Sequence, residues 1–73
     1  MDEVKAFIVI EEEEGDRLDV YLSEQLGDMS RSYIQKLIKD KKVTVNDKIE
    51  KAKYLVKEDD KIVIQIPAPK LLE

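Results

Sequence analysis

The sequence predicts an α+β domain, two short helices packed on a small, mostly antiparallel sheet. Three observations predict it. Runs at Phe7-Ile8-Val9-Ile10, Val43-Thr44-Val45 and Ile62 to Ile66 have the β-branched or alternating composition of strands. Two intervening segments repeat apolar residues at helical spacing, and Gly, Asn, Asp and Pro punctuate the junctions. The order strand, helix, helix, strand, strand contains no internal repeat.

Phe7 to Ile10 forms the first predicted strand, and the acidic run Glu11 to Glu14 with Gly15 closes it as a solvated edge. Helix one follows. Asp16 is its expected N-cap, Asp19 lies in the first turn where the macrodipole favours an anion, and Leu18, Tyr21, Leu22 and Leu26 form its apolar face. Gly27 is expected to supply a left-handed exit.

Ser30 caps helix two, and Met29 is placed to pack on Ile34 as a hydrophobic staple. On a helical wheel Tyr33, Ile34, Leu37 and Ile38 share one side, expected to be core. Arg31, Ser32, Gln35, Lys36 and Lys39 share the other. Val43-Thr44-Val45 then alternates as a strand, Asn46-Asp47 is a two-residue hairpin signal, and Lys48-Ile49 begins the return. Tyr54, Leu55 and Val56 are expected to pack inward before a polar turn at Glu58-Asp59-Asp60. The last strand stops at Pro67 and Pro69, which favour an extended linker. Leu72-Glu73 has the form of a cloning junction and does not enter the fold prediction.

With 73 residues, one small domain is expected, with a core worth about 3–5 kcal/mol and no room for a deep catalytic cleft. The chain has no Cys and no His, so disulfides, the usual zinc sites and histidine acid–base chemistry are excluded; no cofactor and no metal are expected. Ala6 to Ile10 is too short and too acidic in its flanks for a signal segment, and no apolar run approaches a membrane span. A cytoplasmic protein, monomeric as an isolated domain, is the expectation.

Charge is segregated. Met29 to Lys57 holds nine Lys and Arg against three Asp and Glu, a net of +6, while Met1 to Asp28 holds two against ten, a net of -8. Because charge acts over roughly a Debye length of 8–10 Å, the local patch outweighs the acidic total. Arg31 sits in a first helical turn, where the macrodipole disfavours a cation by about 0.3–1 kcal/mol if exposed, so local stability does not explain it. It heads a stripe of phosphate-seeking groups, widened by Lys41, Lys42, Lys48, Lys51 and Lys53 if the Asn46-Asp47 turn folds beside helix two. On physics alone a solvated Lys-rich face fits as well as a nucleic-acid groove. Tyr21 and Tyr33 match the apolar faces, so no stacking platform is indicated; recognition by shape and phosphate fits better.

Gly15-Asp16-Arg17-Leu18-Asp19, Leu22, Ser30-Arg31-Ser32, Gln35, Leu37-Ile38, Val43-Thr44-Val45-Asn46 and Asp60-Lys61-Ile62 together resemble the small RNA-binding domain named after ribosomal small-subunit protein four, the S-four domain, with an alpha-L-like fold. The leader strand and proline-rich exit are most similar to the N-terminal module of bacterial ribosomal large-subunit pseudouridine synthases, subtype D. The resemblance implies a leader at 1–14, an S-four domain at 15–66 and a linker stub at 67–73 toward a separate catalytic domain. It implies contacts to structured, ribosomal RNA from Arg17, Ser30, Arg31, Ser32, Gln35, Lys36 and Lys39, and less directly from Lys42, Asn46 and Lys48. Lys41, Asp47 and Asp59 depart from the family at places that usually hold glycine; Asp tolerates a left-handed backbone, while Lys41 would cost about 1 kcal/mol there.

Arg17-Leu18-Asp19 also resembles the segment around the catalytic aspartate of those synthases. That role is rejected for Asp19, which leads an amphipathic helix with no space for a uridine pocket, so this chain is expected to be inactive and its parent an isomerase. Other readings are a free-standing S-four module acting on ribosomes or transfer RNA, and a protein-interaction domain using the acidic face from Glu11 to Asp19. A tyrosyl-tRNA synthetase origin is disfavoured, because that family carries the domain at its C-terminus.

Overall fold

A computed structural model describes residues 3–27 and 29–67. The order is β1 (Glu3–Ile8), a 3-10 turn (Glu11–Glu13), α1 (Leu18–Gln25), α2 (Arg31–Lys39), β2 (Val43–Val45), β3 (Lys48–Ile49) and β4 (Lys61–Ile66). The sheet runs β1-β4-β2-β3 with every pairing antiparallel, so the last strand lies between the first two. In β4, Ile62, Ile64 and Ile66 are buried while Lys61 and Gln65 are exposed. Their partners Val45 and Val43 are buried beside them. These residues join Leu18, Tyr21 and Leu22 of α1 and Ile34, Leu37 and Ile38 of α2 in one core, the two-layer arrangement that the helical and strand periodicities predict.

The first strand begins earlier than the sequence suggests. Glu3, Val4, Lys5 and Ala6 form a weak strand run by composition, but each is paired to a residue of β4, from Glu3 with Ile66 to Ile8 with Lys61. Pairing supplies what propensity lacks. Val9 exchanges backbone hydrogen bonds with Asp59 and Asp60 just past the strand and is buried, whereas Ile10 faces solvent.

Helix α1 starts one residue later than expected, with Arg17 rather than Asp16 as its N-cap and no side-chain cap. Asp16 is engaged elsewhere. Segment 15–19 runs beside 52–56, where Gly15 N–H donates to Val56 O, Val56 N–H to Asp16 O, Leu18 N–H to Tyr54 O and Asp19 N–H to Ala52 O. The loop carbonyls thus satisfy the helix-start donors that a capping side chain would otherwise take. The glycine held at positive φ is Gly15, at 93°, and not Gly27, because α1 ends through Leu26 at φ -114°. Two further inward expectations fail. Tyr33 is 38% exposed and Leu55 54% exposed, since Tyr33 lies at the margin of the apolar face and Leu55 alternates with buried Val56 in an extended segment.

The three glycine-site departures all take the left-handed conformation: Lys41 at φ 64°, Asp47 at 68° and Asp59 at 72°. Asn46, at 52°, joins Asp47 in a hairpin turn with both central residues at positive φ. Lys41→Gly should therefore raise stability by about 0.5–1 kcal/mol, measured by urea unfolding, because only the β-carbon strain is removed.

Asp60 ties the turns together. Its buried carboxylate accepts hydrogen bonds from Tyr54 Oη at 2.6 Å, Asn46 Nδ2 at 2.8 Å and Lys57 N at 2.9 Å. Asn46 Oδ1 in turn accepts from Lys61 N–H. The hydrogen bond to Asp60, with burial and the nearby Asp60 and Glu50 charges, pushes the Tyr54 phenol up to about 12.

Candidate nucleic-acid interface

Ser30 Oγ accepts from Tyr33 N–H at 3.2 Å and fixes the start of α2. From that start the 3.6-residue period buries Ile34, Leu37 and Ile38 and leaves Arg31, Ser32, Gln35, Lys36 and Lys39 exposed on the other side. The polar side is therefore a direct product of the apolar one. Lys36 and Lys39 fall in the last turn, where the macrodipole favours cations; Arg31 falls in the first, where it does not.

Asp19 provides the compensation. Its side chain is fully buried, yet it faces the polar ends of both helices. Arg17 Nε lies 3.2 Å from Oδ1 and Arg17 Nη2 donates to Oδ2 at 3.3 Å. Gln35 Nε2 donates to Oδ2 at 2.7 Å, Val20 N–H to Oδ1 at 2.8 Å, and Arg31 Nη2 stands 3.9 Å from Oδ2. One carboxylate thus hydrogen-bonds Arg17 and Gln35 and draws the Arg31 charge to within 3.9 Å, although the three come from two helices. Arg31 has a local electrostatic partner after all. Arg17 and Arg31 remain about half exposed, so their outer N–H groups are available to an anion.

Burial alone would raise the Asp19 pKa, but the Gln35 and Val20 hydrogen bonds and the Arg17 and Arg31 charges outweigh it and hold the carboxyl below its ordinary 3.8. A depressed folded-state pKa contributes stability that is present above 3.8 and lost as pH falls through the folded value. Asp19→Asn should accordingly flatten the acid limb of the stability profile below that pH. Urea unfolding of both proteins at stepped pH checks this; parallel acid limbs would contradict it.

Beyond Gln35, α2 and the segment from Ile49 to Ala52 enclose an open groove with a volume of about 380 Å³. Gln35, Lys39, Lys41 and Lys51 line it, so the hairpin return does lie beside α2. Lys41 reaches this position through its left-handed backbone. The remaining expected contacts are placed differently. Lys42 is half-buried, and its backbone closes α2 onto the sheet through Leu37 O and Gln65 N–H. Lys48 is exposed on the edge strand β3. Both ends of the Asn46 amide are committed to Asp60 and Lys61, which makes Asn46 a brace of the turn.

A family model for the S4 domain matches residues 16–62. The chain belongs to the S4 domain family. This S4 domain is similar over 63 residues, at 33% identity, to an uncharacterized RNA pseudouridine synthase, YlyB, of Bacillus subtilis, covering 86% of this chain and 21% of that protein. Over 72 residues it is 39% identical to an uncharacterized RNA pseudouridine synthase of Aquifex aeolicus, covering 97% of this chain and 22% of that one. The chain spans about a fifth of the length of these relatives. The match takes in both helices, β2, β3 and the start of β4, the elements that carry the Asp19 array and the groove.

Sequence reasoning located the polar face of α2 and left out two features. The cross-helix role of Asp19 depends on a contact with Gln35 sixteen positions away, which no local spacing encodes. The apolar part of the groove, Ile49 and Ala52, lies in a segment without periodicity. Lys51 was legible only as one more cation of a basic run.

Proposed function

We propose that this S4 domain grips structured RNA through the α2 face and is the N-terminal module of a pseudouridine synthase, of the subtype D kind, that isomerises uridine in large-subunit ribosomal RNA. The observation that carries the reading is the buried Asp19 carboxylate gathering Arg17, Gln35 and Arg31 in one array at the head of α2. Residues gathered in this way meet a phosphate backbone with little conformational entropy left to lose, and Lys36 and Lys39 continue the cationic track. Ser30, Ser32 and Lys48 add hydrogen-bonding and charged groups at its margins, with Lys42 at the α2 exit.

In this reading residues 15–66 hold RNA, 1–14 supply the leader and its sheet strand, and 67–73 lead toward a catalytic domain. The module acts in the cytoplasm, as a monomer. It contributes affinity and placement and no chemistry, since extrusion and enclosure of a uridine require a second domain. Support for the synthase comes from the names and lengths of the two relatives.

The test uses the longer protein. Removing residues 1–66, or introducing Arg31→Glu alone, should lower uridine isomerisation in ribosomal RNA at limiting RNA while leaving the rate at saturating RNA nearly unchanged, because binding and not chemistry is lost. Equal activity with and without the module at limiting RNA would refute the role.

A further inference from the structure

The groove beside α2 differs from the rest of the interface in its chemistry. Ile38, Ile49 and Ala52 give it an apolar wall, whereas Lys39 and Lys51 stand with it as cations and Glu50 as an anion. A phosphate would be poorly placed against that wall. It would lose hydration to three aliphatic side chains and meet the Glu50 carboxylate. Its volume of about 380 Å³ lies near the lower end of the roughly 300–1,000 Å³ typical of small-ligand clefts, suited to a flat heterocycle. The amines suit the phosphates on either side of such a ring.

We infer that this groove receives one extrahelical nucleobase of the RNA, packed between Ile38, Ile49 and Ala52, while Lys39 and Lys51 hold its flanking phosphates. The inference rests on the RNA-binding reading above and adds a ligand class to it: the S4 domain takes structured RNA that carries a bulged or splayed nucleotide. A base already outside its helix pays no unstacking cost, and its faces exchange water for aliphatic side chains. The Asp19 array grips the helix backbone; the groove adds a choice among helices. The groove suits a single unpaired base, because a paired base keeps its faces stacked on its neighbours and cannot offer them to the aliphatic wall. The segment that carries Ala52 is itself fixed, since Ala52 O accepts the Asp19 N–H at the head of α1. Groove and array are thereby built on one support.

Three RNA hairpins test it: one fully paired, one with a single bulged nucleotide, and one with the same bulge lacking its base. Each is titrated with the chain at fixed salt. The bulged hairpin should bind about tenfold tighter than the other two, the gain expected from burying part of one base face against aliphatic side chains. Ala52→Leu, which fills the groove, should bring the ratio of bulged to paired affinity to about one. Ile49→Ser, at an exposed edge-strand position where folding is not at risk, should reduce the same ratio by removing part of the wall. Lys36→Ala, outside the groove, should weaken all three hairpins alike and keep the ratio. Equal binding of the three hairpins by the unaltered chain overturns the groove while leaving the RNA-binding reading standing, and a ratio unchanged in both groove variants does the same. Failure to bind any hairpin overturns both.

Discussion

RNA binding by the Arg31→Glu, Lys39→Glu double variant is expected to fall by about 100-fold or more, with the fold retained. Each reversal turns an attraction to phosphate into a repulsion. Both side chains are exposed, and in near-water dielectric a contact pair is worth about 1 kcal/mol, so the two reversals amount to about 3–4 kcal/mol, at least two decades in affinity. The fold tolerates the change for a definite reason. A glutamate at position 31 suits the positive end of α2, which offsets its closeness to Asp19, and position 39 is exposed. Filter binding with a structured RNA, paired with circular dichroism, measures both quantities. Retained binding by a folded double variant would remove the α2 face from the interface. Asp19 is buried against Arg31, so the expected acidic side shrinks to Glu11 to Asp16, and a partner held there would be unaffected by these changes.

Asp60→Ala should have the largest effect on stability. The substitution strands the Tyr54 hydroxyl, the Asn46 amide and the Lys57 N–H, all partners of one buried carboxylate. Loss of such a hydrogen-bonded charge costs about 3 kcal/mol, most of what a core of this size supplies. Chain reversal at the Asn46-Asp47 turn, the approach of Tyr54 and the entry to β4 should fail together. Urea unfolding should show a midpoint shifted sharply down or no transition. Tyr54→Phe should cost much less, about 1 kcal/mol, because it deletes one donor and leaves the carboxylate two others. Similar losses for the two variants would mean that Asp60 acts through Tyr54 alone.

Periodicity made the helices and β4 legible because their buried faces are continuous in sequence. The alternation of Ile62, Ile64 and Ile66 and the Ser30-capped run through Ile38 needed no tertiary information. β1 was legible only in part. Its first four residues are strand because β4 offers a partner, and a partner at the other end of the chain leaves no trace in local composition. The Asp16 cap failed for a related reason: the loop from Ala52 to Val56 satisfies the start of α1 from outside and draws Asp16 into an extended pairing. In the interface, the exposed side of α2 followed from its apolar side. Asp19 was legible as an anion at a helix start, and its contacts with Gln35 and Arg31 were not, because they require the crossing of two helices. Lys41 is a different case. The resemblance marked position 41 as one that usually holds glycine and left open whether lysine would keep the left-handed backbone there; it does, at φ 64°.

In the proposed reading the cations gathered around Asp19 and along α2 meet RNA phosphates. Titration of one structured RNA with the chain at several salt concentrations tests it most directly. With roughly five phosphates neutralised by Arg17, Arg31, Lys36, Lys39 and their neighbours, log affinity should fall linearly with log salt at a slope of about -3 to -5. Arg31→Glu should make that slope shallower by about one or more. A slope near zero, or one that Arg31→Glu leaves unchanged, would contradict the account.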